Sequence, residues 1–339
     1  MGVNMKEYII TIDTGTSNTR TILWDMNRNK ISEKKQAVGV RNTAIDGNND
    51  KLKAAVKGCL DKLIEEADIS YDNIKRVIAS GMITSNVGLV EIPHITAPAD
   101  VDDLAAATTD VILTDVCPLP IWFIPGIKNS NGEISLQNYE AMDIMRGEEV
   151  ESIAIIEDFP KGKNMLLILP GSHSKFVAVD SEGKITGCLT TISGELLASI
   201  TNDTIIADAV GRSFVEEDTY DKEFVILGYE TAKKTGIGRA CFSARILNQF
   251  YTKDKTKLAN FVLGISLQND FVAIQNSDAV RVDKNTTVIV AGKNPLRRAI
   301  LDILSHINLF AEVKEYVPKD NTQLSALGAY IIAKKCNIL

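Results

Sequence analysis

The 339-residue sequence predicts an α/β fold of two duplicated lobes that face each other across a cleft. Three observations carry that expectation. The length suits about two domains. A strand-turn-strand-turn-strand unit near the start returns in the second half, with glycine and a hydroxyl residue at the same place in each first turn. Apolar residues at helical spacing follow the first unit and recur near the end, as helices packed on sheets require.

The first unit opens with the apolar run Tyr8-Ile9-Ile10-Thr11-Ile12, which ends at Asp13-Thr14-Gly15-Thr16-Ser17-Asn18. A strand over Thr19 to Trp24, a turn over Asp25 to Asn29 and a strand from Lys30 to about Val38 complete a meander. Leu52, Val56, Cys59, Leu60, Leu63 and Ile64 then predict an amphipathic helix. Val77-Ile78-Ala79 is a strand that runs into Ser80-Gly81-Met82, and the apolar runs Val111 to Val116 and Ile121 to Ile124 flank Cys117-Pro118-Leu119-Pro120. A polar, turn-rich stretch covers Gly126 to Asn138. In the second half, Met165 to Leu169 ends at Pro170-Gly171-Ser172-His173-Ser174, followed by strands over Lys175 to Val179 and Lys184 to Ile192 around an acidic turn. Gly171 lies 156 positions after Gly15, and at that offset Thr16 meets Ser172 and Leu23 meets Val179. Thr287 to Val290 is a strand entering Ala291-Gly292-Lys293, Leu296 to Ile307 a helix, and Leu324 to Lys335 a buried helix. No Pro/Gly/Ser linker separates the halves, so the lobes should pack around a hinge.

Composition narrows the function classes. Charged residues are 24% and apolar residues 45%, which excludes a disordered chain. The net charge of -7 gives no bulk attraction for phosphate backbones or anionic lipid, so neither nucleic acid nor a membrane is an expected partner. No apolar run approaches the ~20 residues of a bilayer span. Met1 to Thr11 lacks the features of a signal peptide, and Lys6 stands where a myristoylation site wants Ser or Thr. Five scattered cysteines without a CxxC pair read as reduced thiols of a cytoplasmic protein. His94, His173 and His306 are too dispersed for a zinc cluster. The absence of GxxxxGK[ST], GxGxxG and GxSxG motifs disfavours the nucleotide folds and hydrolytic triads they mark.

The repeated turns suit phosphate. Their backbone N–H groups point outward, the hydroxyls add donors, and glycine lets the backbone come close. Asp13, at the carboxyl end of the first strand, is placed to hold Mg²⁺ through water. Arg20 and Lys175 could neutralise a transferring phosphoryl group. The same residues also admit a purely structural reading, in which Asp13 caps a turn and the glycines permit bends; the second turn on the same plan favours the functional one. Met145-Arg146-Gly147-Glu148-Glu149-Val150-Glu151 places two carboxylates after a glycine at a helix start. Such a carboxylate can take the proton of an attacking hydroxyl, and acidic residues in a first helical turn are also ordinary solvated caps.

These residues resemble a known group. The duplicated hairpin and the late strand into Ala291-Gly292 look like the superfamily of sugar kinases, heat-shock ATPases and actin. More narrowly, the chain resembles the 2-dehydro-3-deoxygalactonokinase family. The matching stretches are Asp13 to Arg20, Ser80 to Gly88, Ile121 to Gly126, Met145 to Glu149, Leu169 to Lys175 and Ser193 to Leu196, in the family's order. Val150-Glu151 departs from the Thr-Gln that the family tends to carry there.

The resemblance implies an actin- and hexokinase-like (ribonuclease H-like) architecture with ATP in the cleft. Residues 1–143, completed by the helix of 323–339, would form the N-terminal lobe and 144–322 the C-terminal lobe. The implied reaction moves the γ-phosphate of ATP to the 6-hydroxyl of 2-dehydro-3-deoxy-D-galactonate, in galactonate catabolism, with Mg²⁺ as cofactor and Asp13 as its ligand. Asp13, Gly15, Thr16, Ser17, Asn18, Arg20, Gly171, Ser172, His173 and Lys175 would bind the ATP phosphates, and Gly292 and Lys293 the adenosine. Glu149 precedes Gly171 by 22 positions, close to the spacing in hexokinase-like members, and is the preferred base with Glu148 as the alternative. Thr84, Ser85, Asn86, Arg146 and Arg245 are the candidates for holding the sugar acid and its carboxylate. The helix of Leu324 to Lys335 should pack against the cleft without chemistry. Competing readings are a non-catalytic regulator or filament subunit of the superfamily, and a kinase of a related keto-deoxy sugar acid or hexose. A homodimer is carried as an open option.

Overall fold

A computed structural model describes residues 7–130, 132–319 and 322–336. Lys6 and the rest of residues 1–6 lie outside them. The chain begins with β1 (Tyr8–Thr14), β2 (Thr19–Asp25) and β3 (Lys30–Gln36), an antiparallel meander. β3 is two residues shorter than its sequence pattern suggested. It reads Lys-Ile-Ser-Glu-Lys-Lys-Gln at the sheet edge, where charged residues guard against pairing with another chain. After α1 (Val40–Asp46) and α2 (Asp50–Glu66), β4 (Ile74–Gly81) joins β1 in parallel. α2 buries Leu52, Val56, Cys59, Leu60 and Leu63 on that sheet.

The chain then forms β5 (Ile95–Thr96), α3 (Val101–Ala107), β6 (Thr109–Val111), β7 (Ile121–Phe123), β8 (Ile127–Lys128) and β9 (Ile144–Met145). Only Val111 of the run Val111 to Val116 is in a strand; Val116 and Cys117 are buried in the core from a turn. The first sheet runs β3-β2-β1-β4-β7-β6, and β5, β8 and β9 make a small separate sheet.

α4 (Glu148–Ile156) leads into the second unit: β10 (Met165–Leu169), β11 (Ser174–Val179), β12 (Ile185–Thr191) and α5 (Ser193–Asp203). A helical block without strands follows, comprising α6 (Lys222–Thr235), α7 (Ile237–Phe250) and α8 (Lys255–Asn276). The sequence reading did not anticipate it, although Asp221 and Asp254 cap the starts of α6 and α8 by accepting backbone N–H bonds. α6 and α8 approach closely. A Cβ on Gly228 would lie 1.9 Å from the Phe261 carbonyl oxygen, and one on Gly264 1.9 Å from that of Val225. β13 (Thr287–Val290), α9 (Leu296–Ile307), β14 (Glu312–Glu315) and α10 (Leu324–Lys335) complete the chain.

The second sheet runs β12-β11-β10-β13-β14, with a meander followed by two parallel strands. The first sheet has the same order over β3-β2-β1-β4-β7. The duplication read from the two turns therefore extends through five strands of each sheet. One apolar core joins the halves: Ile9, Ile22 and Trp24 from the first sheet share it with Leu167, Val177 and Val179 from the second, around α4 and α10.

Candidate active site

The two turns between the first strands of each sheet are built alike. In the first, Thr14 pairs with Thr19, and Gly15 donates its N–H to the Asn18 carbonyl at 2.9 Å. In the second, Leu169 pairs with Lys175 around Pro170 to Ser174. Among the described residues, the N–H groups of Thr16, Ser17 and Asn18, and those of Gly171, Ser172 and His173, have no protein acceptor. Six backbone donors are thus available to an anion.

Each turn is backed by a helix start that needs glycine. A Cβ on Gly39, just before α1, would lie 2.5 Å from the carbonyl oxygens of Gly15 and Thr16. One on Gly194, in the first turn of α5, would lie 2.2 Å from that of Gly171. The positive end of α5 therefore stands behind the second turn. A third glycine in each half stands at or just past the end of the parallel strand with positive φ, Gly81 at 82° and Gly292 at 89°. A Cβ on them would meet Thr14 and Pro170, at the two turns. No single offset aligns all three glycine pairs, because the insertions between the glycines differ in length.

Asp13 faces Arg20 across the first hairpin and accepts a bond from the Ser325 hydroxyl at 3.0 Å. Burial holds its carboxyl above the usual range; Ser325 and the Arg20 charge pull against that, and Glu148 adds to it. Arg20 also lies 3.0 Å from Glu33. Ser325 belongs to the first turn of α10, so that helix contributes a hydrogen bond to Asp13. α10 reaches this place because Gly328 lets it cross α4 at the backbone of Val150.

The acidic turn adjoins Asp13 through glycines. Gly147, with φ of 116°, packs toward the Cα of Gly81, and the Cβ position of Gly81 is 3.1 Å from Asp13 Oδ1. Glu149 is fully buried, and both its carboxylate oxygens accept from the Gly147 N–H at 2.8 Å. Burial, then the charge of Glu148, pushes its carboxyl up to about 8. Glu148 is half-buried, and one of its oxygens accepts from the Arg146 N–H at 3.1 Å. Glu151, which the sequence reading did not place in the site, is held up to about 8 by burial, Glu148 and Asp13. The charge of Glu148 thus acts on Asp13, Glu149 and Glu151 together, and that of Arg20 opposes it at Asp13.

Several expected contacts have other partners. Lys175 is buried, and its ammonium donates to the Ile144 carbonyl at 2.8 Å and to the Thr190 hydroxyl, away from the turn it follows. The expected neutralisation of a phosphoryl group by Lys175 does not match these bonds. His173 is paired with Glu195 at 2.9 Å on the surface. Arg146 donates to the Thr84 carbonyl and hydroxyl, to the Ile92 carbonyl at 2.9 Å, and to His94 Nδ1 at 3.2 Å. Burial and the Arg146 charge lower His94 to about 4, so the ring is the neutral acceptor. Arg146 therefore braces the 84–94 loop, and its terminal nitrogens are engaged there rather than free for a substrate carboxylate.

In that loop the Thr84 and Ser85 hydroxyls close a local turn on Gly81 and Met82, while Asn86 is exposed. Arg245 is on α7, which packs on α6 and α8, apart from the elements carrying Thr84 and Arg146.

A cavity of about 340 Å³ opens beside Gly171 and Ser172. Its apolar walls include Leu197, Ala198, Phe214, Val215, Leu263 and Leu296. Gly292 and Lys293 lead into this wall without lining it: Gly292 packs on Pro170 and Lys293 is exposed, while Pro295 and Leu296 face the cavity. Behind the turn, Asp270 of α8 accepts from Thr191 at 2.6 Å and Ser193 at 3.0 Å, and Ser193 meets Ser174 at 2.9 Å. Leu263 of this wall and Asp270 both lie on α8, in the helical block that the sequence did not announce.

Comparison with known proteins settles the family. The model of the 2-keto-3-deoxy-galactonokinase family matches residues 13–324. The chain belongs to that family. A 2-dehydro-3-deoxygalactonokinase of Escherichia coli strain K12 is 26% identical over 275 residues, covering 79% of this chain and 82% of its own. The crystal structure of a Sinorhizobium meliloti protein, whose assignment to the same activity is itself inferred, superposes with a TM-score of 0.72 at 20% identity, covering 96% of this chain and 98% of its own. Component A of (R)-2-hydroxyglutaryl-CoA dehydratase from Acidaminococcus fermentans shares the fold at a TM-score of 0.50 and 12% identity, covering 98% and 100%. As a 2-keto-3-deoxy-galactonokinase family member, the protein is an ATP-dependent carbohydrate kinase acting on a sugar acid. Among the described residues no helix is long and apolar enough to cross a membrane.

Proposed function

We propose that the protein transfers the γ-phosphate of ATP to the 6-hydroxyl of 2-dehydro-3-deoxy-D-galactonate, a step of galactonate catabolism in the cytoplasm. The observation that carries this reading is the approach of the acidic start of α4 to the first donor-rich turn through Gly147, Gly81 and Asp13, while the second hairpin is bonded through Lys175 to Ile144 on the strand leading into that start. The lobes are taken as 1–143 with 323–339, and 144–322. Backbone N–H groups of both turns bind the phosphates, the α5 dipole adds to the second, and the adenine ring fills the apolar cavity beside Ser172.

Glu148 is the base we favour. A base must reach the hydroxyl it deprotonates; Glu149 has no exposed surface and both its oxygens are engaged, whereas Glu148 is accessible at the same helix start. This reverses the order of preference read from sequence spacing. Magnesium fits the surplus of carboxyl oxygens. Among the described residues no three acidic, His or Cys side chains converge on one metal position, so Asp13 would hold the ion together with water and phosphate oxygens. When bound, the ion offsets charge on the phosphates.

A coupled ADP-release assay over a panel of sugar acids and hexoses tests the reading. Turnover should be highest with 2-dehydro-3-deoxy-D-galactonate. Turnover of a different sugar in its place would sink the substrate assignment, and release of ADP with none of them would sink the kinase step.

A further inference from the structure

The chain buries a lysine whose ammonium has work other than phosphate binding. Lys175 is only 4% exposed. It lies on β11, immediately after the second phosphate turn, and its side chain reaches across to two other strands. It donates to the Ile144 carbonyl on β9 at 2.8 Å and to the Thr190 hydroxyl on β12. Thr190 in turn donates its hydroxyl to Asp143 Oδ1 at 2.9 Å and its N–H to Asp143 Oδ2 at 2.5 Å. Lys175, Thr190 and Asp143 therefore close a ring of bonds around the beginning of β9. Four residues beyond Ile144 comes Glu148, and between them Gly147 makes its close approach to Gly81.

We propose that Lys175 is a positioning residue that registers the second phosphate hairpin against the strand delivering the acidic turn of α4. The inference rests on the reading of that turn as the source of the base. A buried ammonium is tolerated only when its donors are satisfied and an opposite charge is near. Here a carbonyl, a hydroxyl and, through the hydroxyl, a carboxylate meet that need. Because the ring links β11 and β12 to β9, displacement of either side shifts the distance between the phosphate turn and Glu148. Misplacement of reacting groups by about 1 Å costs on the order of a hundredfold in rate.

The test compares Lys175→Met, Thr190→Val and the double variant with the intact chain. Three readouts are taken: kcat and KM for both substrates, calorimetric affinity for ATP and adenosine, and amide exchange of peptides covering 144–149. Lys175→Met and Thr190→Val should each lower kcat by roughly tenfold or more, leave ATP affinity within about twofold, and speed exchange over 144–149. The double variant should be no slower than the slower single variant, since one ring is cut either way. A loss of affinity for ATP but not adenosine, with exchange over 144–149 unchanged, would overturn the proposal in favour of direct phosphate contact. Multiplicative losses in the double variant, or unchanged exchange in Thr190→Val, would also overturn it. Should the intact chain fail to phosphorylate any sugar acid, the exchange and affinity measurements still judge the ring by themselves.

Discussion

Two adjacent glutamates at one helix start have opposite environments, and substitutions should separate them. Glu148→Gln is expected to lower kcat by at least about a hundredfold while ATP affinity stays within threefold, the range lost with a positioned base. Glu149→Gln should keep kcat within tenfold; the reverse result from steady-state kinetics would return the role to Glu149. Glu149 also predicts a pH dependence of stability. Its carboxyl is raised from an unfolded value of 4.5 to about 8, so between those values the folded state holds a proton the unfolded state has released. Stability from this group is therefore full below about pH 4.5 and is lost as pH rises toward 8. Glu149→Gln should raise the melting temperature more at pH 8 than at pH 5, and an equal shift at both would count against the buried charge. Sequence alone showed that an acidic pair stands here. Its spacing ranked Glu149 first, but which carboxyl is buried depends on packing that spacing does not report.

Glycine contacts between elements, rather than side-chain chemistry, set the shape of both hairpin turns. Gly194→Ala would press a methyl group onto the Gly171 carbonyl, 2.2 Å away, and backbone atoms at both places leave little room to yield. It should weaken ATP binding at least about tenfold by calorimetry and cost roughly 1–3 kcal/mol in denaturant stability. Normal ATP affinity in a folded Gly194→Ala chain would refute the role given to the α5 start. Much at this scale was legible in the sequence. The meanders, α2, β10, β13, α9 and α10 stood out through apolar runs, helical spacing and glycine turns. The helical block α6 to α8 did not. α8 is buried over most of its surface, so its apolar residues leave no simple stripe to read. The same opacity hid Asp270 and the part of the cavity wall that α8 supplies through Leu263. The turns themselves were visible, but the burial and hydrogen bonds of Lys175 and Arg146 depend on strands far apart in sequence, which spacing cannot report.

The two halves look like independent copies in their strand order, yet several contacts make them one body. α4 and α10 share a core with both sheets. The small sheet, formed by the first half of the chain, is fastened to the β12 edge of the second. There Asn129 accepts from the Cys188 N–H at 2.8 Å and donates to the carbonyls of Cys188 and Ala279 at 2.8 and 3.2 Å. Ala99 pairs with Ile185 beside it. A boundary between lobes therefore describes the ancestry of the fold better than its cooperativity. Chains with separable domains unfold in separate steps, whereas a shared apolar core couples the steps. Scanning calorimetry of the intact chain should show one transition. ADP, whose base we place in the cavity of the second half alone, should move that whole transition upward; at a hundred times its dissociation constant the added stability is about 2.7 kcal/mol. Two resolved transitions, only one of them responsive to ADP, would show that α4 and α10 are a hinge between independent domains instead of a common core.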